Sequence, residues 1–213
     1  METSNCFTPT QAWQTPSDSS SYRPISLSSC LGKFFERIIN HRLSWPLERF
    51  NWLPAFQSGF RKDRSTIDNI IALESTVKIG FASTQNTCAV ILDVSQTYGS
   101  VWFTGLLTKL ARSGISGQCL KWLRNFLIGR SFCVRIGSHL SNFRALCAGV
   151  PRGSILSPIL FNVMISDFPT PNPNVRTLMY ADDVTIFCRA RNNTHAEGIL
   201  QPVLVQIETG GTR

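Results

Sequence analysis

The chain has 213 residues, 43% of them hydrophobic and 16% charged, a balance that excludes a disordered protein and gives room for one domain or two small lobes. Its formal net charge of +8 points away from acidic partners and toward an anionic one, of which nucleic acid is the usual case. The seven cysteines are odd in number and show no CxxC spacing, so neither a disulfide framework nor a zinc site is indicated. The opening METSNCFTPT lacks the charged and apolar regions of a signal peptide, and no apolar stretch approaches a membrane span. The expected setting is intracellular, in cytoplasm or nucleus, with no secretion and no membrane partner.

Charge position says more than charge total. From Gly99 to Ser166 there is no Asp or Glu, while Lys109, Arg112, Lys121, Arg124, Arg130, Arg135, Arg144 and Arg152 fall within that stretch. A solvated surface usually mixes both signs. A long stretch of one sign fits a groove that follows phosphates. Between Ser75 and Arg191 the acidic residues are Asp93, Asp167, Asp182 and Asp183, and carboxylates kept at apolar strand ends of a basic protein have the character of metal ligands.

In chain order, residues 1–21 are rich in Ser, Thr, Gln and Pro and read as an unordered leader. Leu31, Phe34, Phe35, Ile38, Ile39 and Leu43 have helical spacing, which predicts a helix over 28–43 capped by Ser28 or Ser29 and ended before Pro46. A second helix is expected from about Ser65, with Ile67, Ile70, Ile71, Leu73 and Val77 as its apolar positions. The apolar, β-branched run 87–92 reads as a buried strand with Asp93 at its end. Helices over 100–112 and 117–128, closed by Gly114 and Gly129, come next. A hairpin of 131–136 with 143–147 follows, then a loop at Gly149–Gly153 and a helix carrying Leu156 to Met164. Two short strands, 177–180 and 184–188, flank the tight turn Ala181-Asp182-Asp183.

If the hairpin pairs beside the first strand, this order points Asp93 and Asp182 into one site. Carboxylates held that close repel unless a cation neutralises them. Mg²⁺ prefers oxygen ligands and takes one or two carboxylates plus substrate phosphates. Two such ions roughly 4 Å apart stabilise both the attacking and the leaving oxygens of phosphoryl transfer. Taken alone, an Asp-Asp pair in a hairpin is also ordinary turn chemistry, because Asp favours turns. The neighbouring blocks decide between the two readings.

Five blocks in order resemble the reverse transcriptases of non-LTR retrotransposons, the jockey-like group above all. They are Tyr22-Arg23-Pro24-Ile25-Ser26-Leu27, Gln57-Ser58-Gly59-Phe60-Arg61-Lys62-Asp63-Arg64-Ser65-Thr66, and Val90-Ile91-Leu92-Asp93-Val94-Ser95, followed by Gly149-Val150-Pro151-Arg152-Gly153-Ser154-Ile155-Leu156-Ser157-Pro158 and Tyr180-Ala181-Asp182-Asp183. The resemblance implies an α+β fold of the right-hand polymerase type, with fingers, an antiparallel palm sheet flanked by helices, and no thumb before the chain ends. It implies fingers at 22–84, palm at 85–112, a fingers insertion at 113–147, palm again at 148–200, and a truncated end at 201–213. It makes Asp93, Asp182 and Asp183 the catalytic metal ligands, with Mg²⁺ as two ions or Mn²⁺ in its place. Arg23, Arg61, Tyr98, Pro151, Arg152 and Gly153 become the nucleotide-binding set, Arg23 as a fork for phosphate oxygens and Tyr98 as the aromatic that rejects a 2′-hydroxyl. The implied partners are an RNA template, a DNA primer and deoxynucleoside triphosphates, with protein partners left open.

The chain departs from that pattern at Gly99, where the family carries Asp, and at Arg152, where it carries Gln. These departures, with the end at Arg213, keep a second reading open: a catalytically inactive remnant that at most binds nucleic acid.

Overall fold

The computed structural model describes residues 4–7, 25–93, 98–136, 138–169 and 172–210. In chain order its elements are β1 (Ser4–Phe7), β2 (Ile25–Leu27), α1 (Cys30–Arg49), α2 (Thr66–Ala82), β3 (Asn86–Asp93), α3 (Phe103–Arg112), α4 (Gly117–Leu127), β4 (Ser131–Ile136), β5 (His139–Leu140), β6 (Arg144–Ala145), α5 (Ser157–Met164), β7 (Val175–Tyr180), β8 (Asp183–Ala190) and α6 (Asn193–Gly210). They fall into two compact units, Met1–Trp52 with Gln96–Met164, and Leu53–Ser95 with Ile165–Arg213.

In the first unit, Ser29 caps α1 by accepting the Gly32 N–H at 3.0 Å, which satisfies one of the amides a helix start leaves open. The helix does not stop before Pro46 as expected; it runs on to Arg49. Leu43 and Leu47 are both fully buried, and burial of Leu47 offsets the hydrogen bond that Pro46 cannot donate. The buried stripe of α1 is Glu36, Leu43 and Leu47, whereas Leu31, Phe34, Phe35 and Ile38, the expected core positions, are exposed. α3 packs on α4 and α5, and Leu106, Leu110, Leu123 and Leu160 of these helices are all fully buried. The predicted hairpin is present, β4 pairing antiparallel with both β5 and β6. β1 lies within the stretch read as a leader, yet its backbone pairs antiparallel with β2 and parallel with β4.

The second unit is a three-stranded antiparallel sheet in the order β3-β8-β7. Strand alternation gives it two chemically different faces. Met179, Val184, Ile186, Cys188 and Ala190 pack with Ala196, Leu200 and Val203 of α6. That helix includes the residues expected to be a truncated end, because the i, i+4, i+7 spacing of those three lays an apolar stripe on the sheet. On the other face, α2 comes close at the end of the sheet farthest from the hairpin turn. A Cβ on Gly80 would stand 2.8 Å from Thr87 Oγ1, and Arg176 donates to Thr76 Oγ1 at 3.0 Å. This close approach needs small residues, so α2 buries Thr76 and Gly80 and leaves Ile67, Ile70 and Ile71 exposed. Cys30, Cys88, Cys119, Cys133, Cys147 and Cys188 are free thiols, and Cys88 stands opposite Cys188 in the ladder. Burial pushes the Cys188 thiol above its ordinary pKa, with the neighbouring Cys88 adding to the shift. No described helix is long and apolar enough to cross a membrane.

Candidate active site

In the β3-β8 ladder Asp93 is directly opposite Asp183, and Asp183 in turn opposes Tyr180. Opposed residues of an antiparallel pair have Cα atoms about 4.5–5.5 Å apart and project from the same face. Both carboxylates are exposed, as is Ile91 beside them at 79%. The pair therefore stands on the open end of the sheet, away from the core under α6. Ala181 and Asp182 form the two-residue turn between β7 and β8, and Asp182 is half-buried. Ala181 has φ 56° while Asp182 does not share the positive sign, a pattern in which the first turn residue is usually glycine.

The segment before α2 runs alongside β7. Met179 N–H donates to the Phe56 carbonyl and Ser58 N–H to the Met179 carbonyl, each at 2.8 Å. Asn69 Nδ2 adds a second donor to the Met179 carbonyl at 3.2 Å. Arg61 spends its guanidinium locally, donating to the carbonyls of Pro54 at 2.7 Å and Gln57 at 3.2 Å.

Among the described residues no three His, Cys, Asp or Glu side chains converge to hold a metal by themselves. Magnesium needs only one or two carboxylates when substrate phosphates and water complete its shell. The opposed pair Asp93 and Asp183, with Asp182 next in the chain, fits that donor chemistry.

The first unit contains the Gly149–Ser157 loop. Val150 N–H donates to the Tyr98 carbonyl at 2.7 Å and Gly149 N–H to the Val101 carbonyl at 2.9 Å. Gly149 has φ 89°, and a Cβ there would lie 2.7 Å from the Gly99 carbonyl oxygen. Gly149→Ala is therefore expected to cost roughly 2 kcal/mol or more, through left-handed backbone strain and direct overlap. Urea unfolding of the variant checks this. Pro151 accepts the Ser157 hydroxyl at 2.7 Å, the Arg152 carbonyl accepts Ser26 N–H at 2.7 Å, and Gly153 takes φ 93°. The Tyr98 ring lies 5.4 Å from that of Phe161, and the Arg152 guanidinium is 6.0 Å from the Tyr98 ring.

Glu36 was not singled out from the sequence, yet it organises this loop. It is 2% exposed, and its Oε2 accepts from Ser154 Oγ at 2.6 Å and Ile155 N–H at 2.7 Å. The available signal was its place on the helical stripe of Leu43 and Leu47, seven and eleven residues on. A carboxylate on a buried stripe needs donors. Glu36→Ala strands both donors and is expected to destabilise the chain by about 2–4 kcal/mol, read from the shift in urea midpoint.

Asp93, Asp182, Asp183 and Arg61 thus belong to the second unit, and Tyr98, Pro151, Arg152 and Gly153 to the first. Arg23 lies outside the described residues.

The sequence model of "Reverse transcriptase (RNA-dependent DNA polymerase)" matches residues 14–212. The chain belongs to the reverse transcriptase family. Its relatives are the polymerases of non-LTR retrotransposons. The RNA-directed DNA polymerase from mobile element jockey of Drosophila melanogaster is 33% identical over 198 residues, 90% of this chain and 22% of the relative. The probable RNA-directed DNA polymerase from transposon BS of the same organism is 34% identical, over 88% of this chain and 21% of its own length. The chain thus spans about a fifth of the length of the curated relatives it matches. Among solved structures, apo telomerase from Candida tropicalis aligns with a TM-score of 0.66 at 10% identity, over 97% of this chain and 42% of that one. Telomerase from Candida albicans in complex with a fragment of telomeric RNA gives 0.65 at 13% identity, over 99% and 41%. At that identity the likeness is one of fold, a mixed helix-and-sheet architecture with antiparallel sheets.

Proposed function

We propose that this chain is the polymerising core of an RNA-directed DNA polymerase, which joins deoxynucleoside triphosphates to a primer 3′-hydroxyl on an RNA template. The observation that carries this is the opposition of Asp93 and Asp183 at the open end of the sheet, with Asp182 in the adjoining turn. In this reading Asp93 and Asp182, assisted by Asp183, hold two Mg²⁺ ions, which when bound stabilise the charge that develops on the reacting phosphate. Tyr98, Pro151, Arg152 and Gly153 meet the incoming nucleotide, together with Arg23 and Arg61. The chain then divides into fingers and palm along the boundaries expected from its motifs. The exposed Arg112, Lys121, Arg124 and Arg144 supply positive potential for a template–primer backbone.

The test is extension of a DNA primer annealed to an RNA template, with Mg²⁺ and all four deoxynucleotides. Extension above the background of Asp182→Asn supports the proposal. Its absence from folded protein overturns it.

A second reading, binding without synthesis, is favoured by the Arg152 guanidinium lying over the Tyr98 ring, a cation–π arrangement on the aromatic that the motifs place at the nucleotide. Arg152→Gln removes that cation. If Arg152 obstructs the nucleotide, the variant is expected to gain primer extension several-fold over the wild type in the same assay; extension no higher than the wild type's removes the support for this reading.

A further inference from the structure

Gln57 is fully buried, and its side-chain amide grips a residue 124 positions away in the chain. Its Oε1 accepts from Ala181 N–H at 3.0 Å and from Gly59 N–H at 2.7 Å, while its Nε2 donates to the Ala181 carbonyl at 3.0 Å. The two backbone donors and one acceptor fix the amide's orientation, because a flip would set its NH₂ against two N–H groups. Ala181 is the residue that holds the turn at φ 56°, a region L-alanine avoids and glycine enters freely. Room for this grip comes from Gly59, where a Cβ would stand 2.3 Å from the Ala181 nitrogen.

We infer that Gln57 is a positioning residue for the Asp182 turn. It ties both backbone polar groups of Ala181 and so keeps that residue in its left-handed conformation. This sets the backbone from which Asp182 projects. The inference rests on the reading of Asp182 as a catalytic carboxylate. Without the amide, Ala181 relaxes toward negative φ and the next carboxylate moves with it. A glycine at 181 holds the turn without help, which separates positioning from mere packing.

The test combines hydrogen exchange at the Ala181 amide with primer extension by the 213-residue chain, in the wild type, Gln57→Leu and Gln57→Leu/Ala181→Gly. The amide at the first position of a two-residue turn ordinarily faces water, so protection of about a hundredfold in the wild type is the expected mark of Gln57. Gln57→Leu is expected to speed that exchange at least tenfold and lower kcat about tenfold, with the nucleotide KM changed less than twofold. The double variant is expected to recover most of the lost kcat. Open-chain exchange at Ala181 in the wild type overturns the inference, as does a double variant no better than Gln57→Leu. Should Gln57→Leu not fold, Gln57→Met removes both the acceptor and the donor while keeping the length of the side chain, and exchange at Ala181 as slow as in the wild type overturns the inference there. Retained extension by Asp182→Asn would sink the catalytic reading alone, since exchange at Ala181 measures the grip independently of activity.

Discussion

Asp182→Asn and Asp93→Asn are each expected to reduce primer extension by about a thousandfold or more while leaving the fold intact, a loss of ~4 kcal/mol of transition-state stabilisation. The size follows from what the carboxylates are proposed to do, because an amide is a neutral and poorer ligand for a hard cation. The stability side of the same experiment is as informative. Asp93 and Asp183 are like charges directly opposed on an exposed face, an arrangement that destabilises a sheet by roughly 0.2–1 kcal/mol. Asp93→Asn removes that repulsion, so its melting temperature in chelator should equal or exceed that of the wild type. Activity falling while stability holds or rises is the signature of residues kept for chemistry. A carboxylate that served only the turn would give the opposite pattern, with stability falling and extension persisting in proportion to folded protein. Thermal melts in chelator and extension assays on the same preparations distinguish the two.

Phe187→Ala is expected to be the most damaging core substitution, at about 3–5 kcal/mol. Phe187 is fully buried at the middle of β8, the central strand of the sheet, with Arg176 and Ala89 opposite it. Truncation removes a ring from a strand paired on both sides, whose backbone cannot collapse into the space. The sheet it weakens is the one that opposes Asp93 to Asp183, so extension should fail at a lower temperature in step with unfolding. Phe187→Leu, which keeps most of the volume, should cost less than half as much. Urea unfolding followed by circular dichroism measures both.

The strands of the second unit were legible in the sequence because their apolar runs are continuous and short, whereas β1 and β2 were not expected. The run 87–92 and the pair 177–180 and 184–188 became β3, β7 and β8 with ends shifted by one or two residues. Helix existence was legible for α1 to α5, since capping residues, glycine stops and apolar spacing are local signals, but not for α6. Helix faces were not. Leu31, Phe34 and Phe35 of α1 and Ile67, Ile70 and Ile71 of α2 have apolar side chains at helical spacing yet stay exposed. The contacts that bury α1 run through Glu36, Leu43 and Leu47, and those that bury α2 through Thr76 and Gly80. Hydropathy ranks none of Glu36, Thr76 and Gly80 as core. Glu36 is buried because two donors from a loop more than a hundred residues away complete it, and Gly80 because the Thr87 hydroxyl and the Gln85 carbonyl stand too close for a side chain. Nor did local pattern show that Arg61 donates to the carbonyls of Pro54 and Gln57.

The sequence by itself determined the family and most of the elements from α1 to β8, and it singled out Asp93, Asp182 and Asp183, since motifs and periodicity are written in neighbouring residues. Only the tertiary structure decided that Asp93 faces Asp183 across a ladder, that Gln57 grips the turn carrying Asp182, and that Glu36 fastens the loop at Ser154. Each of these is a hydrogen-bonded or registered pair separated by about 90 residues or more. Strand register and the satisfaction of buried polar groups are settled when distant segments meet, and no local pattern of hydrophobicity encodes them.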